Sequence, residues 1–199
     1  MTVSSQAHAE HAHHSPFHYD YSVLNRLGLW LFFGSETMIF IVLLVVRFAL
    51  AGNTTPHGLD QNLGLLITAI LLASSLTAYR AESAIAADDR KKFLRNLLGT
   101  IIMGTVFLLA VVAYEWPEAP KHGITPDTGY GAAFFAMTGM HAFHVFTGVV
   151  MLTLVYLNAL KGAYSAKKHW GVEAVVKYWH MVDLVWVFFY PALYLINHQ

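Results

Sequence analysis

Long apolar stretches separated by short polar ones are the dominant pattern along this chain. Five segments carry few charged residues, and each is long enough, at 1.5 Å per residue, to cross a hydrocarbon core of about 30 Å. They cover approximately residues 27–50, 63–84, 96–114, 132–157 and 178–196. Because a backbone in lipid must satisfy its own hydrogen bonds, this pattern predicts an all-α integral membrane bundle of five transmembrane helices.

The first 26 residues form a polar segment that has neither the basic nor the apolar region of a secretory signal. This segment contains His8, His11, His13, His14 and His18. Their uneven spacing and the low apolar content predict a solvated cytoplasmic tail rather than a metal site. Residues 27–199 are predicted to form one transmembrane domain.

Charges in the turns predict the orientation, since Lys and Arg in short loops favour the cytoplasmic side. The turns after the second and fourth spans are basic, with Arg80, Arg90, Lys91, Lys92 and Arg95, then Lys161, Lys167 and Lys168. The loop of residues 115–130 has Lys121 against Glu115, Glu118 and Asp127. The N-terminus is therefore expected in the cytoplasm and the C-terminus outside. Arg47, near the outer end of the first span, is expected to snorkel.

Composition excludes most other classes of protein. The 199 residues are 56% apolar and only 12% charged, which is too little charge to cover a soluble surface. The 12 basic and 12 acidic residues cancel, so no net field attracts nucleic acid. The chain has no cysteine, so any metal would need histidine and carboxylate ligands.

Ionisable residues within the spans are the candidates for function, because they are costly in hydrocarbon. Glu36 is the outstanding one, about nine residues into the first helix and about 14 Å from the inner boundary. It could be a protonated acid hydrogen-bonded in a helix interface near Ser35 or Thr37, or a site for a proton or a lipid headgroup. The sequence leaves both interpretations open.

Histidine pairs raise the question of metal binding. His141 and His144 share a helix face, as do His180 and Asp183, and paired histidines can supply two ligands. The expected depths argue against one site, with His144 roughly 20 Å above the cytoplasmic boundary and Asp183 about 8 Å above it. The favoured prediction is that His141 and His144 hydrogen-bond to neighbouring helices, and that His180 pairs with Asp183 near the interface. Trp179 suits the interfacial aromatic belt.

Small residues recur at close-packing spacings and predict helix–helix contacts. These residues are Gly99 with Gly104, Gly139 near Ala142, and Gly148. Phosphate loops, dinucleotide fingerprints and activated nucleophiles have no counterpart in the sequence pattern. The residues alone therefore indicate a membrane bundle without visible catalytic apparatus.

Several stretches resemble subunit III of the haem-copper terminal oxidases, the family of cytochrome c and quinol oxidases. They are residues 28–40, 114–116, 130–148 and 178–190, which touch four of the five spans in the family's order. The paired histidines and the Trp-His-x-x-Asp motif are far more specific than hydropathy. By this resemblance Glu36 corresponds to the family's buried carboxylate. The other motif positions are Glu115, His141, His144, Trp179, His180 and Asp183.

The resemblance implies the short, five-helix bacterial form of this subunit, in the inner (plasma) membrane. In such oxidases, which couple O2 reduction to proton pumping, subunits I and II hold the haems and coppers. Subunit III packs beside subunit I and is expected to bind no cofactor or metal and to catalyse nothing itself. Its implied role is to stabilise subunit I, to sustain proton uptake and to protect the active centre. Membrane lipids, a bound phospholipid and a respiratory supercomplex are further expected partners.

Three alternatives stay open at this point. A similar small subunit accompanies some nitric oxide reductases. A small proton-coupled transporter built around Glu36 belongs to a different class, and a metalloenzyme using His141 and His144 to a third. The electron donor and the haem type belong to other subunits, so this sequence does not decide them.

Overall fold

The computed structural model describes residues 21–53 and 61–196, and these ranges contain five long helices. They are α1 (Tyr21–Ala51), α2 (Gln61–Ala86), α3 (Arg90–Leu109), α5 (Gly129–Leu160) and α6 (Trp170–Tyr190), with a single-turn helix α4 (Trp116–Glu118) after α3. Within the described ranges β-structure is limited to an isolated bridge between Ser165 and Lys168. The predicted all-α bundle of five helices is confirmed. The five histidines of the tail lie outside the described residues.

Four of these helices are long and apolar enough to cross a membrane: α1, α2, α3 with its continuation to His122, and α5. The fifth, α6, carries Glu173, Lys177, His180 and Asp183. Most of its surface is covered by other helices, and a helix surrounded by protein tolerates polar side chains. Its exposed stripe is still apolar, with Leu184, Val187 and Phe188 facing outward.

The helices begin earlier than the apolar segments do. α1 starts at Tyr21 rather than at residue 27, and α6 starts at Trp170 rather than at residue 178. Hydropathy marks where lipid contact begins, whereas a helix continues through the interfacial residues until a cap or a turn ends it. Tyr21 to Arg26 therefore belong to α1 and not to the predicted tail.

Two helices end in π-helical turns that the sequence pattern did not predict. α3 continues as Ala110–Glu115 and α6 as Pro191–Leu195. Each such turn holds one residue more than an α-turn, and such turns are frequent at functional sites. Pro191 has no N–H to donate, which favours the change of pattern at the end of α6. The two π-turns meet where Tyr194 donates a hydrogen bond to Glu115.

A short turn joins α2 to α3 and fixes their antiparallel pairing. Asp89 caps α3 by accepting a hydrogen bond from the Lys92 N–H at 3.0 Å. This bond and the nearby Lys92 ammonium lower the pKa of the Asp89 carboxyl. Arg90 donates to the Ala159 and Leu160 carbonyls at 3.0 and 2.8 Å, which ties the start of α3 to the end of α5.

α6 contributes much of the buried core, because it packs against several other helices. α2 and α3 form a hairpin, α5 packs against α1, α3 and α6, and α6 packs mainly against α2 and α5. The largest fully buried aromatic side chains include Trp179, Trp186, Phe107 and Phe134. The same arrangement brings α1, α5 and α6 together along one side of the bundle, where the candidate site lies.

Candidate functional site

Glu36 of α1 and His144 of α5 form a side-chain hydrogen bond across the helix interface. Glu36 Oε2 lies 3.0 Å from His144 Nε2, and His144 Nδ1 lies 2.8 Å from the Met140 carbonyl oxygen. A carbonyl can only accept, so Nδ1 carries a hydrogen and donates it to Met140. The contact at Nε2 is then either imidazolium with carboxylate or neutral imidazole with carboxylic acid. In both forms one hydrogen lies between Nε2 and Oε2.

This pair lies at the wall of an apolar groove between α1, α5 and α6. The groove has a volume of about 470 Å³, and its lining includes Phe32, Phe143, Tyr178 and Met151. The Glu36 side chain is 19% exposed and that of His144 is 7% exposed, so the carboxyl group is the more accessible partner. Apart from this pair, the lining of the groove is mainly aromatic and aliphatic.

The two hydroxyls next to Glu36 in sequence do not contribute to its pairing. Ser35 donates to the Phe32 carbonyl and Thr37 to the Phe33 carbonyl, each at 2.7 Å. Such bonds to the preceding turn are common for hydroxyls in membrane helices. The expected interface for Glu36 therefore exists, but its hydrogen-bond partner is His144 rather than Ser35 or Thr37.

His141 differs from His144 although it lies one turn away on the same helix. Its side chain is fully buried, and neither ring nitrogen hydrogen-bonds to any residue of the described ranges. The ring stacks on Trp186 at 4.7 Å between centroids and meets the edge of Phe107 at 5.6 Å. The predicted hydrogen bond to a neighbouring helix is present for His144 and wrong for His141, which instead packs as an aromatic ring.

The predicted pair of His180 with Asp183 does not form. His180 Nδ1 instead lies 2.5 Å from the Ser75 hydroxyl of α2. The Asp183 carboxyl is 3% exposed, and its oxygens make no hydrogen bond of normal geometry within the described ranges, although Ser75 lies beside the group. Residues three apart on a helix can meet, but here both side chains turn towards α2.

Trp179 lies in the core and not in an interfacial belt, so that prediction is wrong. Its side chain is 0% exposed and donates to the Ser74 hydroxyl at 3.0 Å. Trp186, seven residues on, donates to the Thr68 hydroxyl at 2.9 Å. Two indoles of α6 thus join two hydroxyls of α2. An indole N–H satisfied in this way can be buried at low cost.

Two of the predicted close-packing glycines, Gly104 and Gly148, lie at contacts between helices, whereas Gly99 does not. A Cβ built on Gly148 would lie 2.7 Å from Trp179 Cε3, and one on Gly104 would also collide with this indole. Gly99 has no such neighbour within 4 Å, and at Gly139 the nearest atom belongs to Trp116, 3.8 Å away. Gly104 and Gly148 therefore form a notch for the Trp179 ring.

Glu115 belongs to a second polar group, the Tyr130 cluster, which comprises Arg47, Glu115, Tyr130 and Tyr194. Glu115 accepts from Tyr194, and Tyr130 donates to the Leu193 carbonyl at 2.6 Å. The Arg47 guanidinium lies 4.9 Å from the centroid of the Tyr130 ring. This cluster lies where the two π-turns meet, opposite the basic turns of the bundle.

Arg47 does not snorkel, contrary to the prediction. Its side chain is 0% exposed and donates to the Ala192 carbonyl at 3.1 Å and to the Gly52 carbonyl at 2.7 Å. The guanidinium thereby ties the end of α1 to the π-turn of α6. A guanidinium has five donors and is well suited to several carbonyl oxygens at once.

The polar residues within the bundle thus form separate pairs rather than one centre. In the part of the chain that the structure describes, there is no group of three or more His, Cys, Asp or Glu side chains that could hold a metal ion. Glu36 and His144 meet, His180 and Asp183 surround Ser75, and Glu115 lies in the Tyr130 cluster. His141 joins none of these groups.

Sequence reasoning missed several residues that complete these contacts. They are Thr68, Ser74, Ser75, Tyr130 and Tyr194. One signal for two of them was available: Thr68 and Ser74 lie six apart in an apolar span, close to the spacing of seven between Trp179 and Trp186. Tyr130 and Tyr194 gave no such signal, because the π-turns determine which groups they contact.

Fold and site together define a multi-pass membrane protein whose buried polar pairs cross-link its helices. Comparison with known proteins points to a single family. The family model described as cytochrome c oxidase subunit III matches residues 7–198. Proteins named cytochrome c oxidase subunit 3 are 35% identical in Coturnix japonica, 34% in Drosophila melanogaster and 34% in Homo sapiens. Each match spans 181 residues and covers 85% of this chain and 68% of the relative. The chain belongs to the cytochrome c oxidase subunit III family.

Proposed function

We propose that this chain acts as the supporting subunit III of a respiratory haem-copper oxidase, packed beside the haem-bearing subunit I. Membership of the family carries this proposal, since the similarity extends over nearly the whole chain. By the same likeness the haems and copper reside in subunits I and II, and this subunit has no catalytic group of its own. The complex reduces O2 to water and couples this reaction to proton pumping.

The Glu36–His144 pair supports a role in sustained proton uptake. Its single shared proton lies beside a groove that opens on the lipid-facing side of the bundle. A carboxyl–imidazole pair can exchange that proton when water or a partner group reaches it. We assign the pair to proton supply or to lipid-linked stabilisation of subunit I, and not to redox chemistry.

The groove beside Glu36 is also the proposed place for a bound phospholipid. Its walls are aliphatic and aromatic, and its volume of about 470 Å³ accommodates part of an acyl chain. The lipid cleft of the seven-helix form lies between its first two helices and the rest. The groove of this chain is formed by α1, α5 and α6 alone, so its occupancy needs its own measurement.

The bacterial inner membrane is the proposed location, with the N-terminus in the cytoplasm. The five-helix bundle resembles the shorter bacterial form of the subunit. Basic residues at one end of the bundle support the orientation, because they favour the cytoplasmic side. A respiratory supercomplex is a further proposed partner of the assembled oxidase.

Purification in a mild detergent tests the assignment. We expect the chain to copurify with two larger oxidase subunits and with the absorption spectrum of a haem-copper oxidase. Copurification with the haem and iron spectrum of a nitric oxide reductase would contradict it. Proton flux by the purified chain alone in liposomes would instead identify a transporter. The comparisons favour neither of these alternatives.

Replacement of Glu36 by Gln tests the role of the pair within the complex. We expect Glu36→Gln to leave haem content and the initial rate of O2 consumption within about twofold of the parent. The activity should then decline several-fold faster during continuous turnover, because the shared proton is gone. Loss of haem from this variant would contradict a supporting role.

A further inference from the structure

The turn between α2 and α3 carries a basic groove that the proposed function leaves unused. Its volume is about 650 Å³, and its lining includes Tyr79, Arg80, Asp89, Lys92 and Arg95. It lies at the opposite end of the bundle from the Tyr130 cluster and is separate from the groove beside Glu36. We propose that this basic groove binds the phosphate-containing headgroup of an anionic phospholipid.

Charge is the first observation that supports a phosphate ligand. Within the described ranges Arg80 and Arg95 form no ion pair within 4 Å and no side-chain hydrogen bond, although the charge of Arg95 acts on the nearby Asp89 carboxylate. Lys92 pairs with Asp89 at 2.9 Å, and its side chain is still 66% exposed. The groove therefore has three basic side chains and one carboxylate, Asp89, which is already paired with Lys92. Two guanidinium groups suit a phosphate, because their paired donors match its oxygen atoms.

Position decides between a lipid headgroup and free phosphate. Arg80 and Arg95 each lie about one and a half turns inside the ends of α2 and α3, or about 8 Å. If these ends lie at the cytoplasmic surface, as the proposed orientation requires, both guanidinium groups are close to the headgroup region. One turn deeper, Leu76 is 50% exposed on α2 and Leu98 is 41% exposed on α3. These side chains offer the apolar surface that acyl chains need directly beneath a phosphate. Tyr79, 60% exposed, has the amphipathic character of an interfacial residue.

In the proposed orientation, the membrane itself supplies such a ligand at this end of the bundle. Anionic lipids of the cytoplasmic leaflet attract basic residues close to the ends of transmembrane helices. The groove brings its basic groups from two helices to one place, so it can hold one headgroup rather than only raise the local anion concentration. A bound lipid would join α2 to α3 at the turn that Asp89 caps.

Lipid retention by matched variants tests this inference. The full chain, in its oxidase complex where one is obtained, is reconstituted in phosphatidylcholine with a minor fraction of phosphatidylglycerol. It is then extracted again, and the retained phosphatidylglycerol is measured by mass spectrometry. The variant R80Q/R95Q removes two charges from the groove. The control K167Q/K168Q removes two exposed charges from the turn before α6, outside the groove.

We expect R80Q/R95Q to retain at least about tenfold less phosphatidylglycerol than the parent, and K167Q/K168Q to stay within about twofold. Equal losses in both variants, or no loss in either, would overturn the proposal.

Inorganic phosphate at millimolar concentration should not displace the retained lipid, and displacement would show a free-phosphate site instead. If R80Q/R95Q does not fold, R80K/R95K keeps the charge but not the forked donors. It should retain several-fold less, and retention equal to the parent would reject the groove.

Discussion

Glu36 and His144 have a defined relative orientation because the Met140 carbonyl accepts a hydrogen bond from Nδ1 of the imidazole. With Nδ1 committed to that carbonyl at 2.8 Å, only Nε2 is left for Glu36. The phenol of Tyr178 also donates to the His144 carbonyl at 3.2 Å, which links the same turn of α5 to α6. The pair is thus held by three helices. Small movements between α1 and α5 would change the 3.0 Å contact directly.

His144→Gln should reproduce the effect of Glu36→Gln on sustained turnover. If both variants act by removing the shared proton, the double variant should lose activity no faster than either single one. The measurement is the rate constant for loss of O2 consumption during turnover, at equal haem content. Effects that simply add would show that the two side chains act separately.

His141 should tolerate replacement by an apolar ring, because its ring nitrogens have no hydrogen bonds to lose within the described ranges. We expect His141→Phe to change the free energy of unfolding by less than about 1 kcal/mol, since the stacking on Trp186 and Phe107 is retained. His141→Ala should cost about 3 kcal/mol through the cavity it leaves. Thermal unfolding in detergent measures both variants.

A metal-binding role for His141 would give the opposite order, because phenylalanine offers no ligand. His141→Phe would then lose stoichiometric metal and at least as much stability as His141→Ala. Metal analysis of the purified parent chain completes this comparison.

At the residue scale the sequence identified the polar side chains inside the bundle, but it did not predict their partners. Glu36 and His144 were both singled out, but their expected depths of about 14 and 20 Å concealed the pairing. The tilt and the axial shift of a helix change the depth of its side chains by several ångströms. A single sequence does not give the tilt or the shift. Arg47 shows the same limit, since the carbonyl of Ala192 that it binds lies 145 residues away.

At the scale of single helices, α6 is organised around its two indoles. Trp179 and Trp186 donate to Ser74 and Thr68 of α2, and these hydroxyls in turn donate to backbone carbonyls of their own helix. Every polar group in the two contacts is therefore satisfied, as burial in a membrane requires. The fully buried Trp179 also explains why α3 and α5 each present a glycine at this level.

Gly104→Ala should destabilise the bundle, because the added Cβ would collide with the Trp179 indole. We expect a loss of about 1–3 kcal/mol in the free energy of unfolding, since the ring is held by Ser74 and cannot move aside freely. Gly99→Ala on the same helix is the matched control, because no such neighbour lies within 4 Å of its Cβ. The control should be neutral or stabilised by up to about 1 kcal/mol through helix propensity.

The comparison is made by thermal or denaturant unfolding in the same detergent. Equal effects of the two alanines would contradict the notch. Combining Gly104→Ala with Trp179→Phe provides a further check, because the smaller ring should relieve part of the collision.

The number of helices was predictable, whereas their exact starts and their irregular ends were not. Apolar length alone predicted five helices, because a membrane leaves the backbone few alternatives. The π-turns at Ala110–Glu115 and Pro191–Leu195 depend on how Glu115, Tyr130 and Tyr194 meet, which is tertiary information. Pro191 marks the second turn in the sequence, but the first has no proline within it.

At the scale of the whole molecule, the two ends of the bundle differ in chemistry. One end carries the Tyr130 cluster, in which Arg47 is buried and hydrogen-bonded. The other end carries exposed bases, including Arg80, Lys92 and Arg95 around the basic groove. Such asymmetry is typical of a chain with one defined orientation, because exposed Lys and Arg are held on the cytoplasmic side.

Single cysteines provide a direct measurement of this orientation, since the chain contains no cysteine of its own. Lys92 and Lys121 are matched sites with side chains 66% and 67% exposed, one at each end of α3 and its continuation. In intact spheroplasts a membrane-impermeant maleimide should label Lys121→Cys, while Lys92→Cys should react only after the membrane is permeabilised. The reverse pattern would place the basic turns outside. Labelling of both sites without permeabilisation would contradict the crossing itself, because only one predicted span separates residues 92 and 121.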